Sequence, residues 1–170
     1  MDENEFYGKY RGLVSHNDDP LHRGRIRAIV PDVFGDQESG WAEPCMPFGG
    51  NKMGFVAVPA ERTPVWIEFE CGDPEFPIWA GCRWDDEKDM PVLPAGAKTD
   101  PGSIVLICTK GGHSVLLDDA KSGGGITLKT SDGQQIVISK QGILIDNGNG
   151  AKIKLNNNQV LVNDGALEVT

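Results

Sequence analysis

No aromatic residue follows Trp84 and no proline follows Pro101 in this chain of 170 residues. Acidic excess is confined in the same way. The first hundred residues carry 10 Lys and Arg against 19 Asp and Glu, whereas residues 101–170 carry six of each. Such a change in composition predicts a protein of two parts. We place them at residues 1–89 and 104–170, joined by a Pro-containing linker at 90–103.

Several function classes lack their sequence signals. The acidic residues 1–5 are not followed by a long apolar run, so we expect neither a signal peptide nor a transmembrane helix. Four cysteines are scattered without a close pair, which argues against a zinc site and favours reduced thiols. No GxSxG, HExxH or P-loop pattern occurs, and no stretch has a helical period. We therefore predict no catalytic residue, no metal site and no cofactor.

The last third of the chain is instead dominated by one short pattern, in which two aliphatic residues flank a single position of any type. Alternation with period two is typical of a strand with one buried and one solvated face. Gly, Asn, Asp and Ser fill the intervals and predict sharp turns. The pattern occurs at Ile126/Leu128, Ile136/Ile138, Ile143/Ile145, Ile153/Leu155, Val160/Val162 and Leu167/Val169.

These pairs pose a packing problem, because each strand offers only two aliphatic side chains and no aromatic residue lies nearby. Three copies wound about a common axis would solve it, since each inward pair would then meet its counterparts from two other chains. Burial of each aliphatic side chain contributes about 1.5–3 kcal/mol. We therefore predict a homotrimeric β-helical shaft with these twelve residues as its core. A monomeric β-solenoid and the second half of an ordinary β domain are the alternatives.

The first part of the chain is rich in predicted strands. Short alternating segments separated by Pro, Gly and Asp turns fit an all-β, five- or six-stranded Greek-key barrel of the oligonucleotide/oligosaccharide-binding (OB) type. Pro44 and Pro47 restrict one segment to a sheet edge. Residues 59–62 are predicted to connect two strands as a hairpin. The predicted strands are 10–16, 23–30, 41–47, 54–58, 65–70 and 77–84.

An OB barrel suggests one alternative function, an oligomeric binding module for nucleic acid or saccharide. Nucleic-acid binding requires a basic groove with aromatic platforms. The barrel part is strongly acidic, and only Arg23, Arg25 and Arg27 form a basic stripe. We therefore expect no nucleic-acid partner, and we interpret the stripe as a contact for a protein.

The residues of the barrel part also carry a resemblance to a known family. Its order of motifs is Asp19-Pro20, then Gly24-Arg25-Ile26-Arg27, then residues 65–74 (VWIEFECGDP) and finally residues 77–81 (PIWAG). This order resembles the barrel of contractile-tail central spikes, the family of phage baseplate assembly protein V and of the VgrG spike of type VI secretion. The last third is similar to the triple-stranded β-helix that follows the barrel in that family.

The resemblance implies a homotrimer on the axis of a phage tail or phage-like particle, assembled in the bacterial host cytoplasm. Its barrels would lie under a baseplate hub protein, with Arg23, Arg25 and Arg27 as a possible hub contact. The needle would pierce the target cell envelope, which it contacts transiently when the sheath contracts. The chain departs from larger relatives because no lysozyme domain separates barrel and needle. It also has no HxH motif near the C-terminus for an apical metal, since its last histidine is His113.

Two further expectations concern the ends of the needle. The final strand, with Leu167, Val169 and Thr170, would leave an unpaired edge, which is a liability that we expect a PAAR-like tip protein to cap. Residues 111–119 resemble the entry of the β-helix in these spikes and are expected to act in trimer entry. The alternative is an ordinary hairpin strand with His113 as a solvated turn residue.

Overall fold

A computed structural model describes residues 5–93, 101–120 and 123–169. The chain divides into two compact units, Met1–Met90 and Pro91–Thr170. In both, β-strands are the main regular secondary structure among the described residues. Part of the predicted linker, residues 94–100, lies outside the described residues, as does Thr170. No helix among the described residues combines the length and hydrophobicity that crossing a bilayer requires.

The first unit contains a five-stranded sheet of order β2-β1-β6-β7-β3. Its pairings are antiparallel except that of β3 with β7, which is parallel. A separate hairpin is formed by β4 and β5. The elements are β1 (Tyr10–His16), β2 (Arg27–Ile29), α1 (Pro31–Phe34), β3 (Glu43–Pro44), β4 (Gly49–Gly50), β5 (Met53–Gly54), β6 (Pro64–Phe69) and β7 (Pro77–Cys82).

The sheet curls into a closed barrel, because the two ends of the strand order are joined by backbone hydrogen bonds. Ile26 N donates to Ala42 O at 3.2 Å, and Ala42 N donates to Ile26 O at 2.7 Å. Strict alternation along β6 buries every second residue. Asp19 and Ser39 are buried polar residues of this unit. The hydrophobic core consists of Val14, Ile26, Ala28, Val30, Ala42, Val65, Ile67, Phe69 and Trp79. The predicted all-β class with an N-terminal barrel is confirmed.

Several details of the barrel differ from the sequence prediction. Of the strand predicted at 41–47, only Glu43–Pro44 is a strand. A single helical turn, α1, follows β2; Pro31 starts it with a φ already suited to a helix, but one turn is too short to show a period. Only Arg27–Ile29 of the predicted strand 23–30 is extended in the sheet. The strand predicted at 54–58 is limited to Met53–Gly54. Residues 59–62 do not connect a hairpin, since β6 pairs with β1 and β7.

The second unit is one eight-stranded antiparallel sheet in which every strand pairs with its neighbours in sequence. Each strand is short, because a turn rich in Gly, Asn or Asp interrupts the chain after three to five extended residues. The strands are β8 (Ile104–Cys108), β9 (Ser114–Asp118), β10 (Gly125–Lys129), β11 (Gln135–Ser139), β12 (Gly142–Asp146), β13 (Lys152–Asn156), β14 (Gln159–Val162) and β15 (Leu167–Val169).

Candidate interaction surface

Two parallel rows of aliphatic side chains cross the eight-stranded sheet on one face. The register sets them side by side, because residues directly opposite one another in antiparallel strands point to the same face. We call them row A and row B. Row A consists of Val105, Leu117, Ile126, Ile138, Ile143, Leu155 and Val160, and row B of Ile107, Val115, Leu128, Ile136, Ile145, Ile153, Val162 and Leu167.

The rows bring together the residues that the sequence predicted for the shaft core. The backbone register pairs Val169 with Val160 at the end of row A. The prediction did not include Val105, Ile107, Val115 and Leu117, which extend both rows across β8 and β9. Residues 104–107 (IVLI) form a continuous apolar run, which hides the alternation that marks the other strands. The interval of about ten residues between strands was the signal that could have located them.

Among the described residues, none covers these rows. Ile138 is 45 % exposed and Ile153 is 39 % exposed, whereas Ile26 and Ile67 of the barrel core are fully buried. A contiguous apolar surface of this kind marks an interaction site in a stable protein. The second unit therefore presents one apolar face of a core, and the surface that packs against it must come from outside the chain.

On the opposite face of the sheet, most of the aliphatic side chains lie in one row along the middle of the strands, with Ile104 beside it. Its members are half-buried and include Leu116, Val137 and Leu144, but Thr127 and Lys154 interrupt it. Charged pairs lie beside this row. Lys154 binds Asp164, which lowers the pKa of that carboxyl, and Lys152 Nζ lies 3.4 Å from Asp146 Oδ2. This face is thus mixed in polarity, as expected of a solvated surface.

The turns lie along the two sides of the sheet where the strands begin and end, and they differ in length between these sides. We call these two sides the edges of the shaft sheet, as distinct from its edge strands β8 and β15. At the edge beside row B, the segments 109–113, 130–134 and 147–151 each contain five residues and are closed by a backbone hydrogen bond. The donor–acceptor distances are 2.9 Å for Thr109 N to His113 O, 2.9 Å for Thr130 N to Gln134 O and 3.1 Å for Asn147 N to Ala151 O. At the edge beside row A, the turns 140–141 and 157–158 contain two residues each, and the connection between β9 and β10 spans residues 119–124.

The long turns stack on one another and form a wall beside row B. Ser131 N donates a hydrogen bond of 3.4 Å to His113 Nδ1, which ties the first turn to the second. A Cβ atom on Gly148 would lie 3.2 Å from Asp132 O, so the third turn packs closely on the second. Between this wall and row B lies a groove of about 830 Å³, with row B as its floor. His113 is therefore a turn residue with a defined acceptor role.

The predicted arginine stripe of the barrel is paired with acids of the same chain. Arg25 Nη2 donates to Asp19 Oδ1 at 2.7 Å, and the two side chains are 13 % and 3 % exposed. The Arg25 guanidinium, together with backbone N–H groups of residues 21, 23 and 25, holds the pKa of the Asp19 carboxyl well below its usual range. Arg25 thus fastens the loop that follows Asp19.

The other two arginines are more exposed. Arg23 Nη2 lies 3.0 Å from Glu43 Oε1, and Arg27 Nη1 lies 3.1 Å from Glu38 Oε2. Arg25 and Arg27 both lie 5.5 Å from the centre of the Trp41 ring. Within the described residues this face is therefore a mosaic of charge pairs around one aromatic ring, and each of the three guanidinium groups has an acidic partner.

The barrel also exposes apolar side chains that the sequence analysis did not single out. They lie on and beside the β4–β5 hairpin, where Phe48, Met53, Phe55 and Val56 are all largely exposed. Three large apolar residues around the polar Asn51-Lys52 turn were the available signal. Across residues 5–93, 101–120 and 123–169, no group of three or more His, Cys, Asp or Glu side chains converges as a metal site would require.

Comparison with protein-family models gives two matches in the same order as the two units. Residues 10–84 match the type VI secretion system/phage-baseplate injector OB domain. Residues 103–168 match the phage baseplate V C-terminal trimerisation domain. None of the curated proteins matches the sequence. The second match supplies the origin of the missing surface, since a trimerisation domain is completed by further copies of itself. The chain belongs to the baseplate spike family that includes phage baseplate assembly protein V and VgrG, and it forms a homotrimer.

Proposed function

We propose that this protein is the central spike of a contractile injection machine, a single trimer on the tail axis that pierces the target cell envelope when the sheath contracts. The observation that carries the proposal is the uncovered double row of aliphatic side chains in a domain of the trimerisation type. Three such faces turned inward would form a closed prism with rows A and B as its core.

The energetics favour this arrangement. Covering the exposed part of one aliphatic side chain in rows A and B contributes about 1 kcal/mol, and each chain brings some fifteen of them. The gross gain for three chains is then on the order of 40 kcal/mol, from which the entropy of association and side-chain ordering is subtracted. No catalytic group is needed for the proposed role, because the work of piercing is mechanical.

The sheet geometry suits a load-bearing rod. Each strand is hydrogen-bonded to its sequence neighbours, so the ladder runs continuously from β8 to β15. The turns are five residues or fewer wherever both flanking strands and all turn residues are described. A prism with such short connections has few segments that can yield independently, and it would transmit axial force with little bending.

We propose one protein partner for each unit of the spike. The barrels would bind a hub protein through the face that carries Arg23 and Arg27, the two more exposed arginines, while Arg25 serves mainly to hold the loop at Asp19. A PAAR-like tip protein would bind the last strand, where Leu167 is 58 % exposed and where β15 pairs with β14 alone among the described strands. Assembly would take place in the bacterial host cytoplasm.

The test is the number and position of copies in isolated contractile particles. Quantitative mass spectrometry against the tube and sheath proteins should give three copies per particle, since only one trimer fits on the axis. Gold labelling of a tagged chain should mark the baseplate end alone. A larger multiple of three per particle, or labelling along the sheath, would refute the axial position. Particles that keep their target-killing or injection activity without this chain would refute the piercing role.

A further inference from the structure

We propose that the groove over row B receives the short-turn edge of the neighbouring copy, so that each corner of the trimer joins two different edges of the sheet. This inference rests on the proposed trimeric spike and specifies how its three chains meet. It gives the stacked long turns a role in binding the neighbouring copy, which burial of the aliphatic rows by itself does not require.

The two edges are complementary in shape. The long turns 109–113, 130–134 and 147–151 form one side of the groove of about 830 Å³ over row B. From β11 to β14 the opposite edge is slender, because its turns 140–141 and 157–158 contain only two residues, whereas the connection 119–124 between β9 and β10 on the same side spans six. Backbone packing there is so close that a Cβ atom on Gly125 or Gly142 would lie 2.0 Å from a neighbouring carbonyl oxygen. A slender edge can enter a groove that an edge with five-residue turns could not.

The two edges are also complementary in chemistry. Row A lies next to the short turns, so insertion of that edge would bring the neighbour's row A onto the row B floor of the groove. Polar side chains of the short turns, such as Gln141 and Asn158, would then meet the polar wall formed by residues such as Thr130, Gln134 and Asn147. Apolar groups would be matched with apolar groups and amides with amides across the same contact.

Symmetry requires the same pairing. In a ring of three identical chains, each contact joins two different surfaces of the subunit, and the ring closes when the rotation between subunits is a third of a turn. A contact between two short-turn edges, or between two long-turn edges, would be self-complementary and would stop at a dimer. A sheet with one groove-forming edge and one slender edge supplies the two different surfaces.

The experiment is cysteine cross-linking of the full-length chain, in a background where the four native cysteines are replaced by serine. Gln141→Cys on the short edge is combined with Ser131→Cys in one variant and with Asn149→Cys in another. Ser131 and Asn149 lie in the long turns just before and just after turn 140–141 along the sheet, so one of them should be near Gln141 of the neighbouring copy. The thiol-to-thiol linker is chosen to be shorter than the roughly 17 Å that five residues of strand span, so it cannot join the two edges of one chain. Gln141→Cys with Thr127→Cys, in the middle of the opposite face, is the matched control.

We expect at least one of the two edge-to-edge variants to give a covalent trimer on a denaturing gel. The three single variants and the Thr127 control should run as monomers. Cross-linking of a single variant to a dimer would overturn the proposal, because it would show like edges in contact. A trimeric mass by light scattering with no cross-link in either edge-to-edge variant would refute the proposed contact between groove and short edge but not the proposed trimeric spike. A monomeric mass would refute both.

Discussion

Replacement of Ile143 by Asp tests whether rows A and B form the interior of the trimer. Ile143 lies in row A on β12, where it pairs with Ile138 on one side and Leu155 on the other. In the proposed prism, the substitution places three carboxylates at one level near the axis, surrounded by aliphatic side chains. We expect it to abolish assembly.

The magnitude follows from the burial that this position would have inside the proposed prism. Loss of the aliphatic side chain removes about 2 kcal/mol per chain. An unpaired carboxylate that stays ionised in an apolar interior costs several kcal/mol more. For three chains the total is on the order of 15 kcal/mol or above, and mutual repulsion of the charges adds to it. This equals or exceeds the stability of a typical folded protein, which is about 5–15 kcal/mol.

Leu144→Asp is the matched control, because Leu144 is the next residue on the same strand and points to the opposite face. There it pairs with Val137 and Lys154, so a new carboxylate has a lysine beside it. Light scattering should give three times 18.4 kDa for this control and for the wild type, and 18.4 kDa for Ile143→Asp. All four tryptophans lie in the first unit, so their fluorescence reports separately that the barrel of each variant is folded.

Acidification provides an internal check. Burial raises the pKa of a carboxyl group, so the Ile143→Asp chain should regain part of its trimer at about pH 5, where a raised pKa leaves the group neutral. A stable Ile143→Asp trimer with the thermal stability of the control would refute the assignment of this face. Loss of assembly in Leu144→Asp alone would place the opposite face inside.

The remaining predictions concern the barrel and are both read from the tryptophan fluorescence during thermal unfolding. The pKa of Asp19 is held below its usual value of 3.8, so the stability that Asp19 contributes is present above about pH 4 and is lost as the pH falls further. Asp19→Asn should therefore lower the melting temperature at pH 7 and flatten the fall of the melting temperature between pH 4 and 2. An unchanged pH profile would contradict the role of the Arg25–Asp19 pair. Gly12→Ala should destabilise the barrel by about 1–3 kcal/mol, since the new Cβ would lie 2.8 Å from Ile67 Cγ1 in a packed core. Gly49→Ala is the control, because its Cβ would enter open space. Equal melting temperatures for the two variants would contradict the close packing at Gly12.

Local sequence was sufficient to locate a strand wherever the strand has one buried face and is bounded by residues that favour a turn. The pairs from Ile126/Leu128 to Leu167/Val169 show a strict period of two between Gly- and Asn-rich turns, and each of them lies on a strand. The same reasoning located β1 with its exact bounds and β6 within one residue. The uneven distribution of aromatic residues and prolines also indicated a chain of two parts, and family resemblance supplied the identity of both.

Tertiary structure alone decided features that depend on residues distant in sequence or on the sense of pairing. The parallel contact of β3 with β7 joins Glu43 to Ile78, and no local period records such a pairing. The sequence assigned Arg25 to a stripe for a protein partner, whereas folding brings it to Asp19 in a loop whose Gly24 carbonyl accepts a hydrogen bond from Trp79 Nε1. Strand β8 was missed because its apolar run is continuous. The turn lengths on the two sides of the shaft sheet follow from the strand spacing, but the stacking of the long turns into a wall exists only in the folded chain. Periodicity specifies which side chains share a face, but the groove, the ion pair and the barrel closure depend on distances that exist only once the chain has folded.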